Sequence, residues 1–173
     1  MDAPVRSQPV VLRRATPDDI PFVMSTERLD GYDALVGRWD EDRHRAALSD
    51  GRHAYFIADD GAAPAGFVIL REWNSPERVT LLKRIAVRRP GQGLGRALTR
   101  AAAALVFEET DAFRLWLGVF PENERARRAY EAAGFLAEGI ARGGAFFGGV
   151  HRDELVMSLL RPEWAAQRSA LRA

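Results

Sequence analysis

The chain has 173 residues, 47% hydrophobic and 28% charged, with a formal net charge of +1. This is the size and composition of one globular domain with a single sizeable core, and so small a charge excludes a global field for nucleic acid or an anionic membrane. The absence of cysteine excludes disulfides, a thiolate nucleophile and cysteine metal sites; with no signal-peptide pattern in residues 1–8 and no apolar run of spanning length, the reading is a cytoplasmic protein.

In chain order, residues 1–9 read as a loose, polar tail with two prolines. Val10–Arg14 reads as a strand. Thr16-Pro17-Asp18-Asp19 opens a helix, with a capping residue, a proline at the first helical position and acids at the positive end of the dipole. Asp40-Glu41-Asp42 opens a second, which ends near Asp50-Gly51. His53–Asp59 and Gly66–Trp73 read as a hairpin around Asp60-Gly61, and Val79–Val87 as a third antiparallel strand. After a glycine-rich loop, Leu94 to about Glu109 forms a helix with Leu94, Leu98, Ala101 and Leu105 on one face.

Phe113–Phe120 reads as a buried strand. Asn123 caps a helix carrying Ala126, Ala129, Tyr130 and Ala133, which Gly134 closes in the left-handed conformation, with Phe135 folded back. Phe135–Arg142 and Glu154–Leu160 are the last strands, with glycine-rich sequence between them, and Pro162 opens a short C-terminal helix. The expectation is a single α+β domain over 10–161, with residues 162–173 a helix and tail. Its sheet is mixed and mostly antiparallel, of about seven strands flanked by helices, and the helix-length connection in 79–120 makes one parallel crossover.

Arg88-Arg89-Pro90-Gly91-Gln92-Gly93-Leu94-Gly95-Arg96 joins a strand to a helix. Glycines let backbone N–H groups converge, and a helix N-terminus adds free donors and a positive dipole end, so such a loop suits phosphate. Arg88, Arg89, Arg96 and Arg100 add charge around it. The spacing matches neither a dinucleotide fingerprint nor a Walker loop, which weighs against a nucleotide-dependent enzyme. A helix start with glycines for close packing is the bland alternative.

These residues resemble the GNAT acetyltransferases. The resemblance runs from about Val11 to Arg161 and is strongest in Leu82-Lys83-Arg84-Ile85-Ala86-Val87 with the glycine loop and Arg96-Ala97-Leu98. Its second part is Leu115–Asn123 followed by Ala126, Ala129, Tyr130, Glu131, Gly134 and Phe135. The C-terminal Arg152-Asp153-Glu154 through Met157-Ser158-Leu159 is similar to the group that includes ribosomal-protein N-terminal acetyltransferases. The resemblance implies acetyl-CoA as co-substrate, with no metal, and transfer of its acetyl group to a primary amine by direct attack. The backbone of Ile85, Ala86 and Val87 would pair with the pantetheine arm as an added strand would. Backbone N–H groups of Gln92, Gly93, Leu94, Gly95 and Arg96 would hold the pyrophosphate. Asn123 would bond the arm, and Tyr130 would protonate the leaving thiolate. Set beside these, Asn123 is also a natural helix cap, and Tyr130 also fits the apolar stripe of its helix.

Two departures stand out. Pro90 occupies the slot where the family has Arg or Gln. The strand positions where relatives carry a proton-accepting carboxylate read Lys83-Arg84 and Gly118. Glu72, Glu27, Asp30, Asp33 and His151 are the substitutes within reach of argument, each also readable as a surface group. His44, His53 and His151 are scattered and match no metal site. Without a base on either strand, the expected acceptor is an amine of lowered pKa such as a peptide N-terminus; an aminoglycoside or a polyamine stays open, as does a monomer or homodimer. A non-catalytic acyl-CoA sensor is the second reading, from another class.

Overall fold

The computed structural model describes residues 10–61 and 63–170; the tail expected over 1–9 lies outside the described residues. Seven strands form one sheet in the order β1-β2-β3-β4-β5-β7-β6. They are β1 Val11–Arg14, β2 His53–Asp59, β3 Pro64–Arg71, β4 Val79–Val87, β5 Arg114–Val119, β6 Leu136–Phe147 and β7 Val150–Leu160. The β4–β5 pair is parallel and the others are antiparallel. The helices are α1 Ile20–Glu27, which follows a 3-10 turn at Pro17–Asp19, α2 Glu41–Ser49, α3 Leu94–Glu109, α4 Glu124–Ala132 and α5 Arg161–Ala170. The single α+β domain with one parallel crossover, carried by α3, is therefore what the chain forms.

Strand alternation distributes the core over two faces. Phe56, Val68, Leu70, Leu82, Leu115 and Leu117 pack with Leu98, Ala102 and Val106 of α3. Tyr55, Ile57, Phe67 and Ile69 pack on the other face with Val23 of α1 and Ala47 of α2. With both faces covered, β2 and β3 read as continuous apolar runs rather than as an alternation.

Local signals set the helix ends. The Asp19 carboxylate accepts from the Thr16 N–H (2.8 Å), and Asp40 Oδ1 accepts from the Arg43 N–H (2.8 Å). At the end of α4, Gly134 has φ 98°, its N–H donates to Glu131 O, and the Phe135 N–H donates to Tyr130 O (3.0 Å); this double closure is the Schellman motif. Arg161 donates to the carbonyls of Phe107, Thr110 and Ala112, tying α5 to the end of α3.

β1 is one residue shorter than expected and β5 one shorter at each end, and three strands differ by more. β3 spans Pro64–Arg71, so it starts and stops two residues before the sequence reading. The last two strands are longer than expected: Gly148 and Gly149, both at positive φ (61° and 82°), make a two-residue turn of the kind that suits a right-twisted hairpin. Gly143-Gly144, expected in the connection, lie inside β6, where the register with β7 slips between Ala141 and Ala145.

Candidate active site

β4 and β5 pair only over Val79–Leu81 and Arg114–Trp116, and then part. A bulge accompanies the parting: Leu82 faces Leu70 and Arg84 faces Ile69, so Lys83 has no partner on β3. An extra residue of this kind bends and twists a strand locally. The opening is a cleft of about 740 Å³. Leu82–Val87 line one wall, and Gly118–Phe120, the α4 cap Asn123, and Ala126 and Tyr130 of α4 line the other. The loop from Tyr32 to Trp39 and the tip of the β6–β7 hairpin complete it. Arg152 of β7 closes the frame, donating to Ala34 O (2.8 Å) and pairing with Glu122.

The wall formed by β4 turns part of its backbone away from β3. The Arg88 N–H donates to Ala65 O (2.8 Å), so Ala86 and Arg88 turn their backbone toward β3, while Ile85 and Val87 turn theirs into the cleft. Val87 is already engaged: Tyr32 Oη donates to its carbonyl (3.0 Å) and accepts from its N–H (3.3 Å). Tyr32 was not among the residues expected here, because a lone tyrosine in a polar loop gives no sign of the strand edge it caps. A strand-like ligand paired at Val87 has to displace that hydroxyl.

The glycine loop lies at one mouth. Gly91 and Gly93 have φ 87° and 79°, values that L side chains rarely adopt. A Cβ on Gly91, Gly93 or Gly95 would meet nothing within 4 Å. Close packing is therefore not why these residues are glycine; they leave open space beside the first turn of α3, where N–H groups lack intrahelical partners. Gly93, Gly95 and Arg96 line the cleft, as does Pro90; Gln92 and Leu94 are outside its lining, and Leu94 packs against the core. Two of the arginines read as loop charges are committed elsewhere. Arg88 donates to Ser25 Oγ (3.0 Å), and Arg100 donates to Ala132 O at the end of α4 (2.6 Å).

Asn123 and Tyr130 both face the cleft. Asn123 Oδ1 accepts from the Ala126 N–H (3.2 Å), so it does cap α4, and its amide end keeps two donors. Tyr130 is buried beside Phe135, with ring centroids 6.1 Å apart. Burial, then the nearby Tyr32, pushes its hydroxyl pKa up. Tyr130 is therefore protonated at neutral pH and equipped to give a proton rather than take one.

The substitutes considered for the missing carboxylate fall away one by one. Glu27 is fully buried and saturated: Oε1 accepts from Arg28 (2.8 Å) and the Trp39 N–H (3.1 Å) and lies 3.2 Å from His44 Nε2, while Oε2 accepts from Arg84 (2.6 Å). Burial pushes its pKa up, but His44, Arg84 and the Trp39 N–H outweigh it and hold the carboxyl below the ordinary range. Asp33 pairs with Arg38 at the rim. Asp30 is exposed and outside the lining. Glu72 follows β3 at the end of the sheet away from the splay, 3.4 Å from Arg71. His151 sits on the hairpin, against Gly143 O (3.2 Å) and the Phe146 ring.

A carboxylate that the sequence reading passed over does enter the cleft. Glu154 of β7 lies so close to Gly118 that a Cβ there would meet its Cδ at 2.7 Å and its oxygens at 2.7 and 2.8 Å. Across the cleft stands Lys83, the chain's one lysine. Although its side chain is open to the cleft, surrounding protein and then the Arg84 charge lower its ammonium pKa.

The profile of the acetyltransferase (GNAT) family matches residues 22–135, about two thirds of the chain. The chain belongs to the GNAT acetyltransferase family. Among GNAT relatives it is similar to the putative ribosomal N-acetyltransferase YdaF of Bacillus subtilis, 36% identical over 45% of this chain. The alignments span less than half of the first curated relatives, 43% of YdaF and 40% of the probable N-acetyltransferase YjcK. It is also similar to the spermidine N(1)-acetyltransferase of Escherichia coli, 27% identical over 91% of this chain and 89% of that one. In fold it matches the spermidine N-acetyltransferase of Vibrio cholerae, solved with CoA and spermine, with TM-score 0.79 at 22% identity over 91% of this chain and 98% of that one.

Gly93→Asp is the direct probe of the loop. It forces a side chain onto a left-handed backbone and puts a negative charge at the mouth of the cleft. Acetyl-CoA affinity measured by calorimetry should fall at least tenfold, or about 1.4 kcal/mol, in a variant that stays folded. An unchanged Kd would remove the loop from the binding site.

Proposed function

We propose that this chain is an acetyl-CoA-dependent N-acetyltransferase that moves the acetyl group onto a primary amine by direct attack in a ternary complex. The observation that carries the reading is the parting of β4 from β5. It presents the outward backbone of Ile85, that of Val87 once the Tyr32 hydroxyl moves aside, the open glycine loop and the Tyr130 hydroxyl to one cleft. A pantetheine arm fits this edge as an added strand, with Asn123 donating from α4 and the α3 N-terminus facing the pyrophosphate. Bound acetyl-CoA supplies the thioester carbon that the amine attacks. An outward N–H of β4 donates to the carbonyl oxygen as charge develops on it, and Tyr130 gives its proton to the departing sulfur. With no cysteine in the chain, a thioester acyl-enzyme has no place in the scheme. Among the described residues no helix is long and apolar enough to cross a membrane; a cytoplasmic setting, where acetyl-CoA is supplied, belongs to the same proposal.

The acceptor class is a peptide N-terminus or a small amine such as a polyamine or aminoglycoside, and the names of the relatives put spermidine in the first panel. The test is thiol release from acetyl-CoA with an N-terminal peptide, spermidine and an aminoglycoside, with the acetylated product weighed by mass spectrometry. Acetyl-CoA-dependent product with one of them is expected. Tight acetyl-CoA binding without turnover across the panel would instead make the chain an acyl-CoA sensor.

A further inference from the structure

Glu154 stands at the place where β5 lacks a side chain. Gly118 pairs with Val156 in the β5–β7 register, so Glu154 lies two residues further along β7 and reaches back over Gly118. A Cβ on Gly118 would overlap the carboxylate at 2.7 Å, and one on Gly144 of β6 would sit 3.4 Å from Oε2. The carboxylate thus lies in a slot bounded by two glycines, flush with the β5 backbone. It lines the same cleft as Ile85 and Tyr130, and among the described residues it makes no hydrogen bond or ion pair. The other acid in the lining, Asp33, is taken up by Arg38.

We infer that Glu154 is the general base that accepts the proton of the acceptor ammonium, supplied from β7 into the volume left by Gly118. This rests on the transfer reading above. One proton passes from the ammonium nitrogen to a Glu154 oxygen, freeing the lone pair. The nitrogen forms its bond to the thioester carbon, the C–S bond breaks with its electron pair on sulfur, and Tyr130 protonates that sulfur. The second proton shed by nitrogen as the amide forms restores Tyr130 through solvent. Glu154 returns its proton to solvent, so each turnover releases one proton net.

The charged group coupled to this carboxylate is Lys83 on β4; β5 and β6 face it with Gly118, Ala141 and Gly144. Arg84 is spent on Glu27. Lys83 interacts electrostatically with Glu154 but forms no ion pair with it among the described residues, so the carboxylate keeps its oxygens open to an incoming ammonium. The case for an acceptor of lowered pKa, drawn from the lack of a strand carboxylate, loses its ground: with Glu154 in place, ordinary alkylammonium acceptors come within range.

The test is Glu154→Gln, nearly isosteric, assayed from pH 6.5 to 9.5 with the most active alkylamine and a matched α-amine peptide. An alkylamine has a pKa of about 10.4 and an α-amine one of about 7.7–8.0. At pH 7 the variant should lose about 10²-fold or more in kcat/KM for the alkylamine. The loss should be smaller for the α-amine and should shrink as pH rises, while acetyl-CoA Kd stays within twofold. Gly118→Ala, which pushes the carboxylate off its seat, should lower kcat/KM at pH 7 in the same direction. A folded Glu154→Gln variant within threefold of wild type at pH 7, with an unchanged pH profile, overturns the assignment and leaves the transfer reading standing. A wild type that binds acetyl-CoA but acetylates no amine overturns both.

Discussion

Tyr130→Phe should lower kcat by about 10²–10⁴-fold, the usual contribution of a positioned general acid. The ring stays beside Phe135 in the same buried site, so melting temperature should hardly move. Acetyl-CoA Kd should change little, because in the proposed transfer the hydroxyl would act on sulfur only as the C–S bond breaks. The hydroxyl has no hydrogen-bond partner among the described residues, so its loss strands no buried donor or acceptor. Measured kcat, Kd and melting temperature must therefore separate: a large drop in the first with the other two steady. A loss below a few-fold would return Tyr130 to a packing role.

The largest effect on stability should come from Glu27→Gln. Glu27 and Arg84 are both buried, with Arg84 only 7% exposed, and the guanidinium also stacks over Trp39, 4.8 Å from the ring centroid. Removing the carboxylate leaves a desolvated cation without its counter-charge, which typically costs about 3–5 kcal/mol. For a domain of this size that is a drop in melting temperature of about 6–20 °C. Glu124→Gln, which breaks the exposed Glu124–Arg128 pair, should change it by no more than a degree or two. The pH dependence follows from the same pair. The Glu27 carboxyl lies below its ordinary value of about 4.3 in the folded chain. Its stabilising effect is therefore complete above that pH and is lost as pH falls through the folded value. The gap between wild type and Glu27→Gln should close on acidification; a gap that stays constant from pH 7 to pH 3 would show that the pair is not its source.

Most element boundaries were legible because local chemistry writes them. β2, β4 and α3 begin and end where composition, turn residues and period indicate, and Asn123 and Gly134 bracket α4 through backbone hydrogen bonds of their own. The glycine-rich hairpin was harder: a glycine pair in a strand interior and one in a turn look alike, and only pairing with β7 separates Gly143-Gly144 from Gly148-Gly149. In the cleft, the legible residues were those whose role is set along the chain, such as the glycines before α3. Those that were missed depend on contacts between distant segments. Tyr32 reaches Val87 from 55 residues away. The same distance effect hid the role of Glu27, which reads as a candidate base in sequence but is bound to Arg84 57 residues on. The gap at Gly118 was visible in sequence, whereas its filling by Glu154 depends on the β5–β7 register, which no local pattern sets.

Calorimetric titration of acetyl-CoA into the full chain tests the central claim, that the parting of β4 and β5 is an acyl-CoA site. One acetyl-CoA per chain should bind with a Kd in or below the roughly 1 μM–1 mM range common for enzyme substrates, and ATP and NAD at equal concentration should give no comparable heat. Absence of binding at millimolar acetyl-CoA, with the protein folded, would contradict the account.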